Sequence, residues 1–134
     1  MTSSDDRTSR QWRAAASLGW MLETELRKTV DHVYKLVGRP LTAYLAGARN
    51  VATLHLATEK ADESVASWAV PRLRFVLRLS ADFRADNAII LLRPWLREVD
   101  PQLGAAPATI IRASHDPSAR EHLWSYAQTY LHGA

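Results

Sequence analysis

The sequence of 134 residues has no cysteine, five isolated glycines, and only three lysines beside fourteen arginines. The absence of cysteine excludes a disulfide framework, a thiolate nucleophile and a cysteine-based zinc site. No run of about 18 uncharged apolar residues is present, which excludes a transmembrane helix. The polar opening MTSSDDRTSRQWR lacks the apolar stretch of a signal peptide. We therefore expect a cytoplasmic protein that does not contact a membrane.

Charge is distributed unevenly along a chain of otherwise ordinary globular composition, 47% hydrophobic and 23% charged, with a net charge of +3. Residues 1–97 carry 15 basic and 10 acidic side chains, whereas residues 98–134 carry 2 and 4. The two parts thus have net charges of +5 and −2, which predicts two surfaces with different partners. The arginine excess suits phosphate and guanine recognition, and GC-rich codon usage produces the same bias.

The apolar spacing predicts an all-α fold, because no segment alternates with period two and no hairpin turn is present. Six or seven helices are expected, over residues 9–37, 41–46, 50–58, 71–83, 87–98, 107–113 and 117–131, with a polar loop at 59–67. The first helix has one apolar stripe, formed by Trp12, Ala15, Gly19, Leu22, Leu26, Val30, Val33 and Val37. A stripe of this length predicts either that the rest of the domain covers the helix or that part of it forms a homodimer interface, and we favour the second for its first half.

Two aspartates are predicted to cap helices. Asp86 is expected to begin the helix at 87–98, in which Pro94 would produce a kink costing roughly 3 kcal/mol. Asp116 followed by Pro117 is typical of a helix start. The face expected to be buried in the 87–98 helix contains Ala88, Ile89, Leu91, Leu92, Trp95, Leu96 and Val99, and that in the last helix contains Leu123, Ala127, Tyr130 and Leu131.

Residues 41–58, LTAYLAGARNVATLHLAT, have the pattern of a helix-turn-helix. Ala43 is small where the helices would cross, and Gly47 permits the turn conformation. The second helix of such a motif presents its first residues to the major groove. We expect Asn50 to pair with adenine, Arg49 with guanine or phosphate, and further contacts from Thr42, Tyr44, Thr53 and His55. The alternative is a helical hairpin that only packs.

One cluster contains residue types suited to catalysis or metal binding: His115, Asp116, Ser118 and His122. Asp116 is better explained as a helix cap, and the two histidines fall on different sides of the helix start. We therefore predict no catalytic residue, no metal, no cofactor and no small-molecule substrate.

Three blocks together resemble a known family: GRPLTAYLAGARNVATLHLA, PRLRFVLRL and RPWLREVDPQLGAAPATIIRAS. They are similar to the Xre-type antitoxins whose partner toxin carries a RES domain, and to the related MbcA/ParS-like antitoxins. The resemblance covers residues 38–131, and its most specific part is the W-L-x-x-x-D-P-Q-L-G block with the proline-started helix after it.

The resemblance implies an antitoxin that represses its own operon through operator DNA and blocks a cognate, NAD-degrading toxin by direct contact. It divides the chain into a possible dimerisation helix (1–37), a DNA-binding part (38–83) and a toxin-binding helical domain (84–134). Toxin contacts are expected from Arg112, Arg120, Trp124, Tyr126, Tyr130 and His132, because tryptophan, tyrosine and arginine dominate interface energies. The alternatives are a stand-alone repressor and an interaction module that no longer binds DNA.

Overall fold

A computed structural model describes residues 25–133, and this part of the chain is all-α. Its helices are α1 (25–37), α2 (Arg39–Ala46), α3 (Val51–Glu59), α4 (Glu63–Ala85), a 3-10 turn (Ile89–Leu91), α5 (Leu92–Arg97), α6 (Pro107–Ala113) and α7 (Pro117–His132). An isolated bridge joins Asp100 to Ala105 in the loop before α6. Within residues 25–133 no helix has the length and apolar character needed to cross a bilayer. The predicted fold class is confirmed.

The described part of α1 buries the stripe that its spacing predicts. Leu26, Val30, Val33 and Val37 are each at most 1% exposed. Gly38 ends the helix at φ +88°, and Pro40 stands in the first turn of α2. The other predicted stripe residues, Trp12, Ala15, Gly19 and Leu22, lie outside the described residues.

Helix α4 is much longer than predicted and begins inside the expected loop. The Asp62 carboxylate accepts the backbone N–H of Val65 at 3.2 Å, and Glu63 adds a negative charge to the first turn. Both features stabilise a helix N-terminus. Pro71 does not start this helix but lies in its ninth position, exposed to solvent. The prediction of a loop over residues 59–67 was therefore wrong for most of that range.

The segment after α4 also differs from the prediction. Asp86 is the C-terminal cap of α4, and only the six-residue α5 forms where a helix over 87–98 was expected. Pro94 is the third residue of α5, where a backbone N–H has no partner within the helix, so the predicted mid-helix kink is absent. Leu92, Trp95 and Leu96 are buried as expected.

A single hydrophobic cluster contains side chains from all seven helices. Phe83 of α4 is fully buried in it and lies 5.4 Å, ring centre to ring centre, from Trp95. Leu45 and Leu54 of the α2–α3 pair and Leu123 of α7 belong to the same cluster. The boundary predicted between residues 83 and 84 falls in the last turn of α4. Both α6 and the start of α7 follow the prediction, with Asp116 accepting the N–H of Ser118.

Candidate functional site

The α2–α3 pair has the local geometry that its sequence predicts. Gly47 adopts φ +92°, and the N–H groups of Gly47 and Ala48 close the end of α2 on the carbonyls of Tyr44 and Ala43. This left-handed C-terminal cap ends α2 and separates it from α3. Leu54 is buried, so the pair is anchored to the core while the opposite face of α3 points to solvent.

The exposed face of α3 includes most of the residues predicted to contact DNA. Arg49, Asn50, Thr53 and His55 are exposed. Asn50 is also the N-cap of α3: its Oδ1 accepts both the N–H and the hydroxyl of Thr53 at 2.8 Å. His55 lies 3.0 Å from Glu59, which places a carboxylate on the same surface. The amide nitrogen of Asn50 is the part of that side chain left for a base edge.

The other two predicted DNA contacts are engaged within the fold. Thr42 is fully buried, and its hydroxyl donates to the carbonyl of Gly38 at 2.6 Å, so the prediction of a phosphate contact is wrong. Tyr44 is partly exposed, but its hydroxyl is 3.1 Å from that of Thr109 on α6. Tyr44 thus joins α2 to α6.

Arg112, predicted to contact the toxin, instead fastens α6 to the end of α2. One guanidinium nitrogen donates to the carbonyls of Tyr44 and Ala48, both at 2.9 Å. The guanidinium carbon also lies 4.8 Å from the centre of the Tyr44 ring, within cation–π distance. A cation at the C-terminal end of α2 is favoured by the helix dipole, and it adds a donor to the Tyr44 carbonyl, which also accepts the N–H of Gly47.

Two further arginines, which are almost fully buried, donate hydrogen bonds to the C-terminal end of α6. Arg72, 7% exposed, donates to the carbonyl of Arg112 at 3.2 Å and to that of Trp68 at 2.7 Å. Arg120, 8% exposed, donates to the hydroxyl of Ser114 at 3.0 Å. Burial, and then the neighbouring charges of Arg120 and Arg112, lower the pKa of Arg72. The prediction that Arg120 contacts a toxin is corrected, because its charged group lies inside the protein.

Two of the three aromatic residues predicted on α7 for toxin binding are also hydrogen-bonded within the domain. The indole nitrogen of Trp124 donates to Asp82 at 2.8 Å, and Arg78 lies over the indole ring at 4.3 Å. The hydroxyl of Tyr126 donates to Asp100 at 2.6 Å. Of the six residues predicted for toxin binding, only Tyr130 and His132 are classed as exposed.

An exposed apolar surface lies elsewhere than the sequence predicts, beside the 3-10 turn and the end of α5. Leu91 and Tyr130 are 44% and 45% exposed, and Val99 is 70% exposed. Leu91 and Val99 were expected in the core, so that part of the prediction was wrong, whereas Tyr130 was predicted both for the core face of α7 and for toxin binding. Together with Pro94 and Pro101 these three residues line a concavity of about 360 Å³, whose wall also includes Glu98 and Asp100. We call the five apolar and aromatic residues Leu91, Pro94, Val99, Pro101 and Tyr130 the apolar patch. The neighbouring Ile90 is 81% exposed.

The sequence shows that residues 88–99 are rich in apolar side chains, but it does not show which of them are exposed. A continuous helix from 87 to 98 would bury Leu91 and Val99, whereas the early stop of α5 turns Val99 outward. In the cluster of His115, Asp116, Ser118 and His122, the carboxylate of Asp116 caps α7 by accepting the N–H of Ser118. Among residues 25–133, no three histidine, aspartate or glutamate side chains are placed to hold a metal ion together.

Comparison of the chain with protein-family models, with curated proteins and with solved structures finds no match. Two surfaces of the described residues are candidates for binding a partner: the exposed face of the α2–α3 pair and the apolar patch.

Proposed function

We propose that the protein is a DNA-binding antitoxin, which represses its own operon through the α2–α3 pair and neutralises a toxin by direct contact. The observation that supports DNA binding best is the left-handed cap at Gly47, followed by a solvent-facing α3 whose start carries Arg49 and Thr53. A helix-turn-helix uses this arrangement to present the second helix to the major groove.

The apolar patch supports the second half of the proposal. Clustered exposed leucine, valine, proline and tyrosine side chains are typical of a surface that binds another protein. Tyr130 is well placed as an anchor, because its ring is supported by Trp95 at 6.0 Å and Phe83 at 6.1 Å. The occupant that we propose is the cognate toxin, in agreement with the resemblance of the surrounding sequence to Xre-type antitoxins.

DNA binding is tested by a gel shift with the DNA upstream of the gene, with random duplex as competitor. We expect a shift that weakens steeply as salt is raised, because neutralised phosphates release counterions. His55→Ala should lower affinity for the upstream DNA, whereas His122→Ala, which changes an exposed histidine on α7, should not. Binding that neither salt nor His55→Ala alters would contradict the use of α3.

Toxin neutralisation is tested by co-expression with the product of the adjacent gene. We expect the two proteins to copurify and growth to be restored relative to expression of the neighbour alone. If the two do not copurify and growth is unaffected, the antitoxin function is refuted. A salt-dependent gel shift in the same preparation would then identify a stand-alone repressor.

A further inference from the structure

A groove of about 470 Å³ lies between α2, the turn after it and the start of α3. Two of its lining residues are arginines: Arg49 comes from the turn and Arg112 from α6. The others are Pro40, Ala43, Tyr44, Ala48, Asn50 and Val51, so no carboxylate lines the groove. A groove with two cations and no acid is suited to an anion.

Arg112 is held in one orientation by contacts that leave part of its fork unused. A single nitrogen makes both carbonyl contacts, and the ring of Tyr44 supports the guanidinium. Arginine has five N–H donors in a rigid, planar fork, which matches phosphate oxygens bidentately. Because the fork is fixed beforehand, little side-chain entropy is lost when it binds an anion.

The charge around Arg112 is not balanced by a neighbouring acid in the part of the chain that the structure describes. None of the ion pairs found among residues 25–133 involves Arg72, Arg112 or Arg120. The lowered pKa of Arg72, which burial causes first and the other two arginines next, is consistent with this concentration of positive charge. An anion at the groove would compensate it.

We propose that Arg112 is a DNA-contacting residue, which together with Arg49 binds one backbone phosphate at the α2–α3 groove. This inference rests on the proposed DNA-binding function and extends it to α6, a helix outside the helix-turn-helix. Arg112 thereby acts twice: it fastens α6 to α2 and presents its remaining donors to the duplex. The contact is independent of sequence, since phosphates position a protein while base edges specify the site.

The test measures the salt dependence of binding to a random-sequence duplex of about 20 base pairs, between about 50 and 200 mM salt. Arg49→Ala and Arg112→Gln should each reduce the slope of log K against log salt by about 0.9, and affinity should fall roughly five- to tenfold. Arg97→Ala, which removes an exposed arginine on α5, is the control for Arg49. Arg120→Gln is the control for Arg112, because it removes a buried arginine that donates to the Ser114 hydroxyl and does not line the groove.

Thermal unfolding separates a lost contact from a damaged fold. Arg112→Gln and Arg120→Gln should both lower the melting temperature, but only Arg112→Gln should change the slope. Equal slopes for these two variants, or a wild-type slope for Arg49→Ala, would overturn the inference. If Arg112→Gln does not fold, the slope of Arg49→Ala decides.

Melting temperatures measured with inorganic phosphate show whether a negative result means that the groove does not bind phosphate or that the protein does not bind DNA. At constant ionic strength, phosphate should raise the melting temperature of the wild type more than that of Arg49→Ala. Phosphate stabilisation without any duplex binding would refute the DNA-binding function and the DNA phosphate contact, while showing that the groove binds an anion. If the protein binds the duplex but Arg49→Ala and Arg112→Gln leave the slope of log K against log salt unchanged, the phosphate contact at the groove is refuted and the DNA-binding function is not.

Discussion

At the scale of single residues, Gly47 has a left-handed backbone conformation that other residues rarely adopt. A Cβ added there would meet Trp68 at 3.5 Å, an ordinary contact, so the obstacle to another residue is φ +92° and not crowding. Gly47→Ala should lower the free energy of unfolding by about 1–2 kcal/mol, the cost of a left-handed L-residue. Urea denaturation measures the loss.

Gly47→Asn is the matched variant, since asparagine tolerates the left-handed region better than alanine. We expect it to lose less stability than Gly47→Ala despite its larger side chain. The opposite order would show that contact with Trp68, and not backbone strain, limits this position.

Asp100 is the residue where we expect a measurable pH effect. The hydrogen bond from Tyr126 is the main cause that lowers the pKa of Asp100, and the N–H groups of Gln102 and Leu103 contribute further. Because the folded-state pKa lies below the unfolded one, this stabilisation is complete above the ordinary carboxyl range. It is lost as the pH falls through the lowered folded-state pKa.

Tyr126→Phe should therefore raise the pKa of Asp100, as read from the NMR shift of its carboxyl carbon. The stability difference between Tyr126→Phe and wild type should be present at neutral pH and shrink in acid. Tyr44→Phe, which removes a hydroxyl paired with Thr109, is the control and should leave the titration of Asp100 unchanged. An unchanged titration in Tyr126→Phe would contradict the assignment.

Residues whose role is local could be predicted from sequence, whereas those whose partners are distant could not. Gly47 and Asp116 act on backbone groups within four residues of themselves. Arg112 and Arg72 instead bind backbone carbonyls, which every residue has, at separations of 40 to 68 positions. No side-chain pattern marks such an acceptor, so charged residues that serve the fold were interpreted as partner contacts.

At the scale of elements, α4 continues through Pro71, which removes one backbone hydrogen bond from the helix interior. Pro71→Ala should raise the free energy of unfolding by about 1–3 kcal/mol, since proline in a helix interior costs roughly 3 kcal/mol relative to alanine. Part of this gain is offset by the greater entropy of the unfolded alanine chain.

Pro94→Ala is the control for Pro71→Ala. Pro94 is the third residue of α5, where the missing N–H costs the helix nothing, so we expect little or no gain. Urea unfolding of both variants gives the comparison. Equal gains would indicate that α4 already accommodates Pro71 without loss.

The limits of α4 and α5 show why boundaries were harder to predict than the fold class. The start of α4 is marked by Asp62 and Glu63, but Pro71 gave a competing start signal nine residues later. Asp86 is the C-terminal cap of α4, although aspartate is more common as the N-terminal cap of a helix. The apolar spacing of α1, α6 and α7 had no such competing signal, and those helices follow the prediction over the described residues.

At the scale of the whole molecule, the α2–α3 groove and the apolar patch have no lining residue in common. Val99→Glu should therefore abolish copurification with the proposed toxin, the product of the adjacent gene, and leave both DNA affinity and stability nearly unchanged. Val99 is 70% exposed, and exposed substitutions usually alter stability by less than about 0.5 kcal/mol. Affinity purification and the gel shift, made on one preparation, provide the two readouts.

Ala119→Glu is the charge-matched control, at an exposed position in the first turn of α7. It should retain the toxin. If Val99→Glu also retains the toxin, the apolar patch is not the toxin-binding surface, whatever the DNA result.

The arginine that joins α6 to α2 has a consequence for how the chain is made. The carbonyl of Ala48 accepts a hydrogen bond from residue 112, and that of Tyr44 accepts a second one beside the N–H of Gly47, so the turn after α2 is completed only after most of the polypeptide has left the ribosome. The α2–α3 pair is therefore not structurally independent of α6. Recombination that exchanged the C-terminal half between relatives would have to bring this arginine, or a substitute for it, along with any new partner specificity.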